Sequence, residues 1–238
     1  MKRPTTPTCL LIATLAALLI GLMPQQILAD DGFKSIFDGK TLEGWDGNPA
    51  FWSVEDGAIV GQTTADNPTK GNTFLIWRGG EPADFELKIE YRLTNHNTGI
   101  QFRSFEDVEK YGKWVIGGYQ ADIAENVRFD GILYGEKFRG ILAHRGDKTV
   151  IGTDHKPKVV GKVGDSDELL KAFKRGEWNT YHIVAKGNKL THSVNGVTMV
   201  EVVDDDVEMR RADGLIALQL HAGPPMKVEF RNIQLKEL

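Results

Sequence analysis

The chain has 238 residues, a formal net charge of −4 and a single cysteine, Cys9. A mildly acidic balance without a basic patch argues against nucleic-acid or anionic-membrane binding, whereas a neutral partner such as a sugar is compatible with it. A single cysteine excludes an intrachain disulfide and a thiolate metal site, so an apolar core has to stabilise the fold.

The N-terminus has the pattern of a secretory signal peptide. Lys2 and Arg3 precede an uncharged run from Cys9 to Met23, and a candidate cleavage point follows Ala29. The run is shorter than the roughly 20 residues that a membrane-spanning helix needs, so we expect cleavage rather than a permanent anchor. The protein is therefore predicted to be exported, either to the periplasm or out of the cell.

Short alternating apolar and polar runs, separated by Gly, Asn and Asp, follow from residue 33 onward. Strands at this spacing predict an all-β sandwich or barrel. Because no repeat or composition shift marks a linker, residues 31–238 are predicted to form a single domain. The predicted strands of the first half are Ser53–Glu55, Ala58–Thr63, Phe74–Arg78, Phe85–Leu93 and Gly99–Arg103.

The second half contains one predicted helix, Asp167–Lys174, with Ser166 as its cap and Gly176 at its end. Turns at Gly187-Asn188 and Asn195-Gly196 predict consecutive hairpins, because Asn-Gly supplies the positive φ angles of a type I′ turn. The predicted strands of this half are Tyr181–Ala185, Lys189–Val194, Val197–Val203, Leu215–His221 and Lys227–Leu235.

Polar and ionisable side chains occupy one face of two of these alternating stretches. Gln120 and Asp122 share a strand face, and Gln219 and His221 share another, while the leucines beside Gln219 turn towards a core. His221 can titrate near neutral pH, which suits proton transfer, although a buried histidine bonded to the backbone would show the same pattern. A lone Asp such as Asp122 is usually solvated. Together the two stretches predict a concave polar site.

A third stretch adds a carboxylate, an aromatic ring and a cation. Glu136 follows Tyr134 by two residues and precedes Arg139 by three, which supplies an acid, a platform and an oxyanion-stabilising group; a surface Glu–Arg pair is the alternative. Gln101 and Arg103 alternate with apolar residues, so they face either sugar hydroxyls or solvent.

Two aromatic side chains, Trp114 and Tyr119, are the best candidates for stacking on a sugar ring. The other four tryptophans are expected to pack in the core or along sheet edges, because large aromatic side chains dominate burial in sandwiches.

Five blocks occur in order along almost the whole chain after residue 30: Phe37–Trp45, Asn97–Ser104, Gly118–Ile123, Trp178–Tyr181 and Leu218–Pro225. With these blocks the chain resembles the 3-keto-disaccharide hydrolase family. The resemblance implies a concanavalin-A-like jelly-roll sandwich of two antiparallel sheets. It also implies the activity class of a 3-keto-α-glucoside 1,2-lyase or a 3-keto-2-hydroxy-glucal hydratase.

Such chemistry sets requirements for the site. A ketone at C3 acidifies the C2 proton of a glucoside, so elimination needs a base near C2, a donor for the enolate oxygen and an acid for the departing glycosidic oxygen. The catalytic candidates are Asp122, Glu136 and His221. The substrate-binding candidates are Gln101, Arg103, Tyr119, Gln120, Tyr134, Arg139 and Gln219.

The same three catalytic candidates leave a divalent metal open, because two carboxylates and an imidazole are metal ligands, although no His-x-x-x-His spacing supports one. No Gly-x-Gly-x-x-Gly motif binds a nicotinamide cofactor, so a separate oxidoreductase is expected to supply the keto-sugar. A second hypothesis is a non-catalytic carbohydrate-binding module of the cell envelope, because jelly-roll folds host both functions.

Overall fold

Strands between Lys34 and Glu237 build two β-sheets that enclose one main apolar core. In the computed structural model, Met1 and residues 31–238 are described, so the predicted signal peptide lies outside the described residues. Residues Gly32–Leu238 make up one compact unit. None of the described helices is long and apolar enough to cross a membrane.

Seventeen strands and two short helices are assigned within the described residues. The helices are α1 (Val108–Tyr111) and α2 (Ser166–Leu170). The strands are β1 (Lys34–Ser35), β2 (Trp45–Asp46), β3 (Trp52–Glu55), β4 (Ala58–Gln62), β5 (Thr73–Trp77), β6 (Phe85–Thr94), β7 (Asn97–Glu106), β8 (Ile116–Ala124), β9 (Leu133–Glu136), β10 (Gly140–Ala143), β11 (Asp147–Ile151), β12 (Pro157–Lys162), β13 (Asn179–Lys186), β14 (Lys189–Val194), β15 (Val197–Asp204), β16 (Leu215–Leu220) and β17 (Lys227–Glu237).

The strands of the described residues divide into a ten-stranded and a seven-stranded sheet. The larger has the order β12-β11-β15-β14-β13-β6-β17-β4-β3, with β1 paired to β17, and the smaller has the order β10-β9-β8-β7-β16-β5-β2. Only β11 and β15 run parallel among these pairs. The prediction of an all-β sandwich is confirmed, and its strand order brings β16, from the end of the chain, beside β7.

The helix prediction requires two corrections. The helix α2 begins at Ser166, and its cap is Asp165, whose carboxylate accepts hydrogen bonds from the backbone N–H groups of Asp167 and Glu168. It ends at Leu170 because the next N–H groups bond to carbonyls three residues back rather than four. The second helix, α1, was not predicted from the sequence, and it is capped by Asp107.

The core lies between the two sheets and determines which face of the smaller sheet is free. Ala121 and Ile123 of β8, like Leu218 and Leu220 of β16, belong to the main apolar cluster. Successive residues of a strand face opposite ways. The residues that alternate with them, including Gln120 in β8, therefore lie on the outer face of the seven-stranded sheet.

Candidate active site

A cleft with a volume of about 300 Å³ lies on that outer face. This is at the small end of the range of small-molecule sites, which runs from about 300 to 1,000 Å³. Its floor is formed by neighbouring strands of the seven-stranded sheet, and its walls by the segments that connect them. The lining residues are Asn72, Asn97, Gln120, Asp122, Phe129, Ile132, Tyr134, Glu136, Ile141, Gln219 and His221.

Strand register sets the floor of the cleft. Gln120 of β8 pairs with Gln101 of β7 on one side and with Tyr134 of β9 on the other, so their side chains form one row across the sheet. Gly99 of β7 lies opposite Asp122. A Cβ at Gly99 would approach the Gln120 side chain to 2.6 Å, so the absence of a side chain there leaves the space that the amide of Gln120 fills.

Three buried amides orient the first carboxylate of the cleft. The Oε1 atom of Gln120 accepts hydrogen bonds from the Nε2 atoms of Gln101 and Gln219, each at 2.8 Å. The Ser104 hydroxyl in turn donates to Gln101 Oε1 at 2.8 Å. With its oxygen held in this way, Gln120 directs Nε2 to Asp122 Oδ1 at 2.6 Å.

Asp122 is 6% exposed. Loss of solvation raises the pKa of its carboxyl group from 3.8 to about 7, and the charges of Asp130 and Glu136 add to the rise. Hydrogen bonds from Gln120 and Asn97 stabilise the ionised form but only partly oppose the effect of burial. Asp122 can therefore both give and take a proton near neutral pH.

Glu136, on β9, is the second buried carboxylate, at 7% exposed. Desolvation raises its pKa, while the Lys137 ammonium and the Asn72 amide oppose the rise. The Asn72 Nδ2 atom donates to Glu136 Oε2 at 3.3 Å, and Asn72 Oδ1 accepts from the backbone N–H of Ala222 at 3.0 Å. Asn72 thereby connects Glu136 to the segment that follows β16.

His221 is half-buried, immediately beyond β16. Its Nδ1 atom lies 2.6 Å from the carbonyl oxygen of Ala222. A carbonyl oxygen only accepts, so Nδ1 carries a proton and the neutral ring has its lone pair on Nε2. Burial lowers the pKa of His221, and the neighbouring His96 lowers it further. The ring is a neutral base at neutral pH.

The cleft also offers hydrogen-bonding atoms for a neutral ligand. Gln219 Oε1 and Asn97 Oδ1 are buried acceptors without a partner in the protein, and both residues line the cleft. Burial and the adjacent carboxylates raise the pKa of the Tyr134 hydroxyl, which keeps it a donor. Because no Lys or Arg is among the lining residues, these groups match the hydroxyls of a sugar better than an anionic ligand.

Within the described residues, no group of three or more His, Asp, Glu or Cys side chains is arranged to hold a metal ion. Burial favours the uncharged forms of Asp122, Glu136 and His221.

The cleft brings together six of the ten side chains predicted from the sequence. Gln101 lies behind them as part of the buried amide network, with 0% exposure. The remaining three lie elsewhere. The six in the cleft are Gln120, Asp122, Tyr134, Glu136, Gln219 and His221.

Arg103 is the first correction. A β-bulge lies between Phe102 and Phe105, and Arg103 has a positive φ of 43°, so the alternation that would pair it with Gln101 is broken. Its guanidinium is buried and donates to the carbonyl oxygens of Ala83 and Gly187, at 2.8 and 2.7 Å. Arg103 therefore connects the segment before β6 to the segment after β13, and it does not line the cleft.

Tyr119 and Arg139 are the other corrections. Tyr119 alternates with Gln120 and so points into the core, where its hydroxyl donates to Asp204 Oδ2 at 2.5 Å. Arg139 pairs with Asp204 and, at 3.2 Å, with Asp206, and its side chain is 5% exposed. The turn that starts at Lys137, where φ is 50°, carries Arg139 away from Glu136. Neither side chain lines the cleft.

Trp114 does not stack in the cleft either. Its indole N–H donates to Asp46 Oδ1 at 2.8 Å, and Asp46 belongs to β2. The strand β2 forms one edge of the seven-stranded sheet, and β10 forms the other.

Five of the eleven cleft residues were not predicted as site residues: the polar Asn72 and Asn97, and the apolar Phe129, Ile132 and Ile141. Asn97 opens β7 within the Asn97–Ser104 block, so its position beside the Asp122 strand offered a signal. Asn72 follows Gly71 in a segment whose sequence is typical of an ordinary turn. Its contact with Glu136 joins residues that are 64 positions apart, so no local pattern predicts it.

Comparison with known proteins places this geometry in a family. Residues 32–236 match the family model of the 3-keto-alpha-glucoside-1,2-lyase-like domain. A 3-keto-disaccharide hydrolase of Bacteroides thetaiotaomicron is 32% identical over 90 residues, which cover 34% of this chain. The match spans only 30% of that protein's length.

Solved structures resemble the fold at low identity. A candidate glycosyl hydrolase from Parabacteroides distasonis has a TM-score of 0.57 and 21% identity, covering 87% of this chain and 99% of its own. The carbohydrate-binding module CBM66 from Bacillus subtilis has a TM-score of 0.52 and 12% identity, covering 82% and 96%. These similarities establish the sandwich fold, and the family match over residues 32–236 goes further: this chain belongs to the 3-keto-alpha-glucoside-1,2-lyase-like domain family.

Proposed function

We propose that this protein is an exported enzyme that cleaves 3-keto-glucosides by removing the C2 proton and eliminating the C1 aglycone, or that hydrates the resulting glucal. The observation that carries the proposal is the gathering of Asp122, Glu136 and His221 in one cleft where burial favours the uncharged form of each. Proton transfer near neutral pH needs groups of this kind.

The first step uses the neutral His221. Its Nε2 lone pair takes the C2 proton, and the C2–H electron pair becomes an enolate with its charge on the C3 oxygen. The Tyr134 hydroxyl and the protonated form of Asp122 are uncharged donors for that oxygen.

The second step expels the aglycone. The enolate electrons re-form the C3 ketone and a C1=C2 double bond, while the C1–O bond breaks and the departing oxygen takes a proton from Glu136, whose raised pKa favours the acid form. Hydration reverses the pattern, with water adding to C1 and a proton to C2. The C3 ketone must come from a separate oxidoreductase that acts before this protein.

The experiment is to incubate the protein in D₂O with a 3-keto-glucoside and with its unoxidised parent, with and without chelator. NMR would follow C2 deuteration and aglycone release, and absorbance would follow the enone. We expect reaction of the keto-sugar alone. The variants Asp122→Asn, Glu136→Gln and His221→Gln should each lower kcat/KM by about 10²- to 10⁴-fold.

A matched control is His182→Gln, on β13 of the other sheet, where the ring contacts Glu86 at 3.0 Å. It should retain full activity. Glycan binding that survives all three cleft substitutions, with no release from a panel of keto-sugars, would contradict the enzyme and favour a carbohydrate-binding module.

A further inference from the structure

A second histidine contacts the carbonyl that orients His221. His96 Nε2 lies 3.0 Å from the Ala222 oxygen, to which His221 Nδ1 also donates. The two rings meet edge to face, with centroids 4.7 Å apart. Because a carbonyl oxygen has two lone pairs and only accepts, it accommodates both N–H groups and fixes the tautomer of each ring.

The backbone around His96 is unusual in a way that serves this contact. His96 has a φ of 71°, and it follows Asn95 at 62° in the link between β6 and β7. Positive φ is uncommon for residues other than glycine, and asparagine and histidine are among the residues that adopt it most often. Asn95 and His96 therefore reverse the chain direction here without a glycine.

The partner segment is shaped to receive the ring. Gly223 has a φ of 146°, and a Cβ there would lie 2.4 Å from His96 Nε2. Only glycine gives the ring this access to the Ala222 carbonyl. The N–H of the same Ala222 residue donates to Asn72, which contacts Glu136. The backbone polar groups of Ala222 thus join His96, His221 and Glu136.

We propose that His96 is a positioning residue for His221: its bond to the Ala222 carbonyl holds that carbonyl where it accepts from His221 Nδ1, so His221 keeps its Nδ1–H tautomer and presents Nε2 as the atom that exchanges protons with the substrate. The proposal rests on the proposed function for its catalytic meaning. His96 itself is absent from the cleft lining, so it acts through His221 rather than on the sugar.

Ring ¹⁵N NMR of the ligand-free protein tests the proposal without any turnover. In the wild type we expect His221 to show a protonated Nδ1 and an unprotonated Nε2. In His96→Gly, we expect His221 to show a mixture of tautomers. In His96→Gln, we expect a spectrum closer to that of the wild type, because the glutamine amide can still donate to the carbonyl. An unchanged His221 spectrum in His96→Gly would overturn the proposal.

Activity and pH provide the second readout. We expect kcat/KM to fall by about ten- to a hundredfold in His96→Gly, with partial rescue in His96→Gln, because a misplaced catalytic group costs up to about 10²-fold. The pH at which His221 titrates should also rise, since His96 lowers it. The other titratable groups that line the cleft or contact His96 are Asp122, Tyr134, Glu136 and Glu125.

Asp56→Gly is the matched control, because Asp56 also has a positive φ, at 48°, but lies in the exposed turn between β3 and β4. It should leave both the His221 spectrum and kcat/KM unchanged. If the wild type turns over no keto-sugar, the proposed function fails while the NMR result still decides the role of His96. Equal activity losses in the Gly and Gln variants with a wild-type spectrum would also overturn the proposal.

Discussion

At the scale of single residues, burial decides which side chains of this protein carry protons. Asp122, Glu136 and His221 all lose solvation in the same cleft, which raises the pKa values of the two carboxyl groups and lowers that of the imidazole. Each shift favours the neutral form. Because the folded pKa of Asp122 is about 7, this carboxyl group changes its protonation state near neutral pH.

Asp122→Asn should change how stability depends on pH. The folded pKa of about 7 lies above the ordinary 3.8, so the contribution of Asp122 to stability is complete below about pH 4 and is lost as the pH rises through 7. We expect the free energy of unfolding, measured with urea, to fall from pH 5 to pH 8 in the wild type. The fall should be smaller in Asp122→Asn, by on the order of a few kcal/mol.

Asp130 titrates in the same pH range, because its pKa is raised to about 6. Its charge also raises the pKa of Asp122, so the difference between the two proteins contains this coupling together with the titration of Asp122. An equal fall in wild type and variant would show that Asp122 ionises as readily in the folded protein as in the unfolded chain.

At the scale of elements, a glycine on β7 makes the polar floor possible. Replacing Gly99 by Ala would place a Cβ 2.6 Å from the Gln120 side chain and displace the amide that orients Asp122. We expect Gly99→Ala to lower the free energy of unfolding by about 1–3 kcal/mol and to lower kcat/KM. Chemical denaturation and kinetics would measure both effects.

Gly161→Ala on β12 is the matched control, since its Cβ would meet Lys148 at an ordinary 3.7 Å. It should change neither quantity appreciably. A Gly99→Ala variant with wild-type kinetics would mean that the amide network does not position Asp122.

The turn between β9 and β10 is held by a buried ion-pair cluster. Arg139 contacts Asp204 and Asp206, whose side chains are each 1% exposed. The substitution Arg139→Met removes the guanidinium that neutralises these two buried carboxylates. We therefore expect it to lower the free energy of unfolding by about 3–5 kcal/mol. Substrate affinity of the remaining folded protein should be unchanged, because Arg139 does not line the cleft.

Lys148→Met tests the same kind of pair at the surface. Lys148 and Glu201 are 2.9 Å apart and both more than 40% exposed, so this substitution should cost less than about 1 kcal/mol. A raised KM in Arg139→Met at temperatures where the variant is folded would restore Arg139 as a substrate-binding residue.

At the scale of the whole molecule, the apolar core between the sheets stabilises residues 31–238, which contain no cysteine and therefore no disulfide. The only cysteine of the chain, Cys9, precedes residue 31. The last strand, β17, pairs with β6, β4 and β1, so the two ends of the unit Gly32–Leu238 fold together. Cooperative folding of this unit is the expected consequence.

Residues 31–238 produced alone should therefore unfold in one transition, with the same urea midpoint as the full chain and with no effect of a reducing agent. Circular dichroism and tryptophan fluorescence would monitor the transition. Two separate transitions, or a lower midpoint than that of the full chain, would contradict the prediction of a single domain.

Local alternation is enough to predict the sandwich and the faces of its strands. Alternation is a local property: residue i and residue i+2 share a face whatever the rest of the chain does. For this reason alternation places Gln120 with Asp122, and Gln219 with His221, on a polar face whatever the order of the strands, and both pairs lie in the cleft. The length of α2 was overestimated because helix ends depend on weak local preferences.

The tertiary structure alone decided which distant groups meet. The bulge at Arg103 interrupts the local alternation, because one extra residue in β7 reverses the sheet face on which each later side chain of the strand lies. The contact of Asn72 with Glu136 and the shared carbonyl that joins His96 to His221 depend on strands that are neighbours in space but distant in sequence. Period-two patterns specify a face, whereas only the order and register of the strands specify a partner.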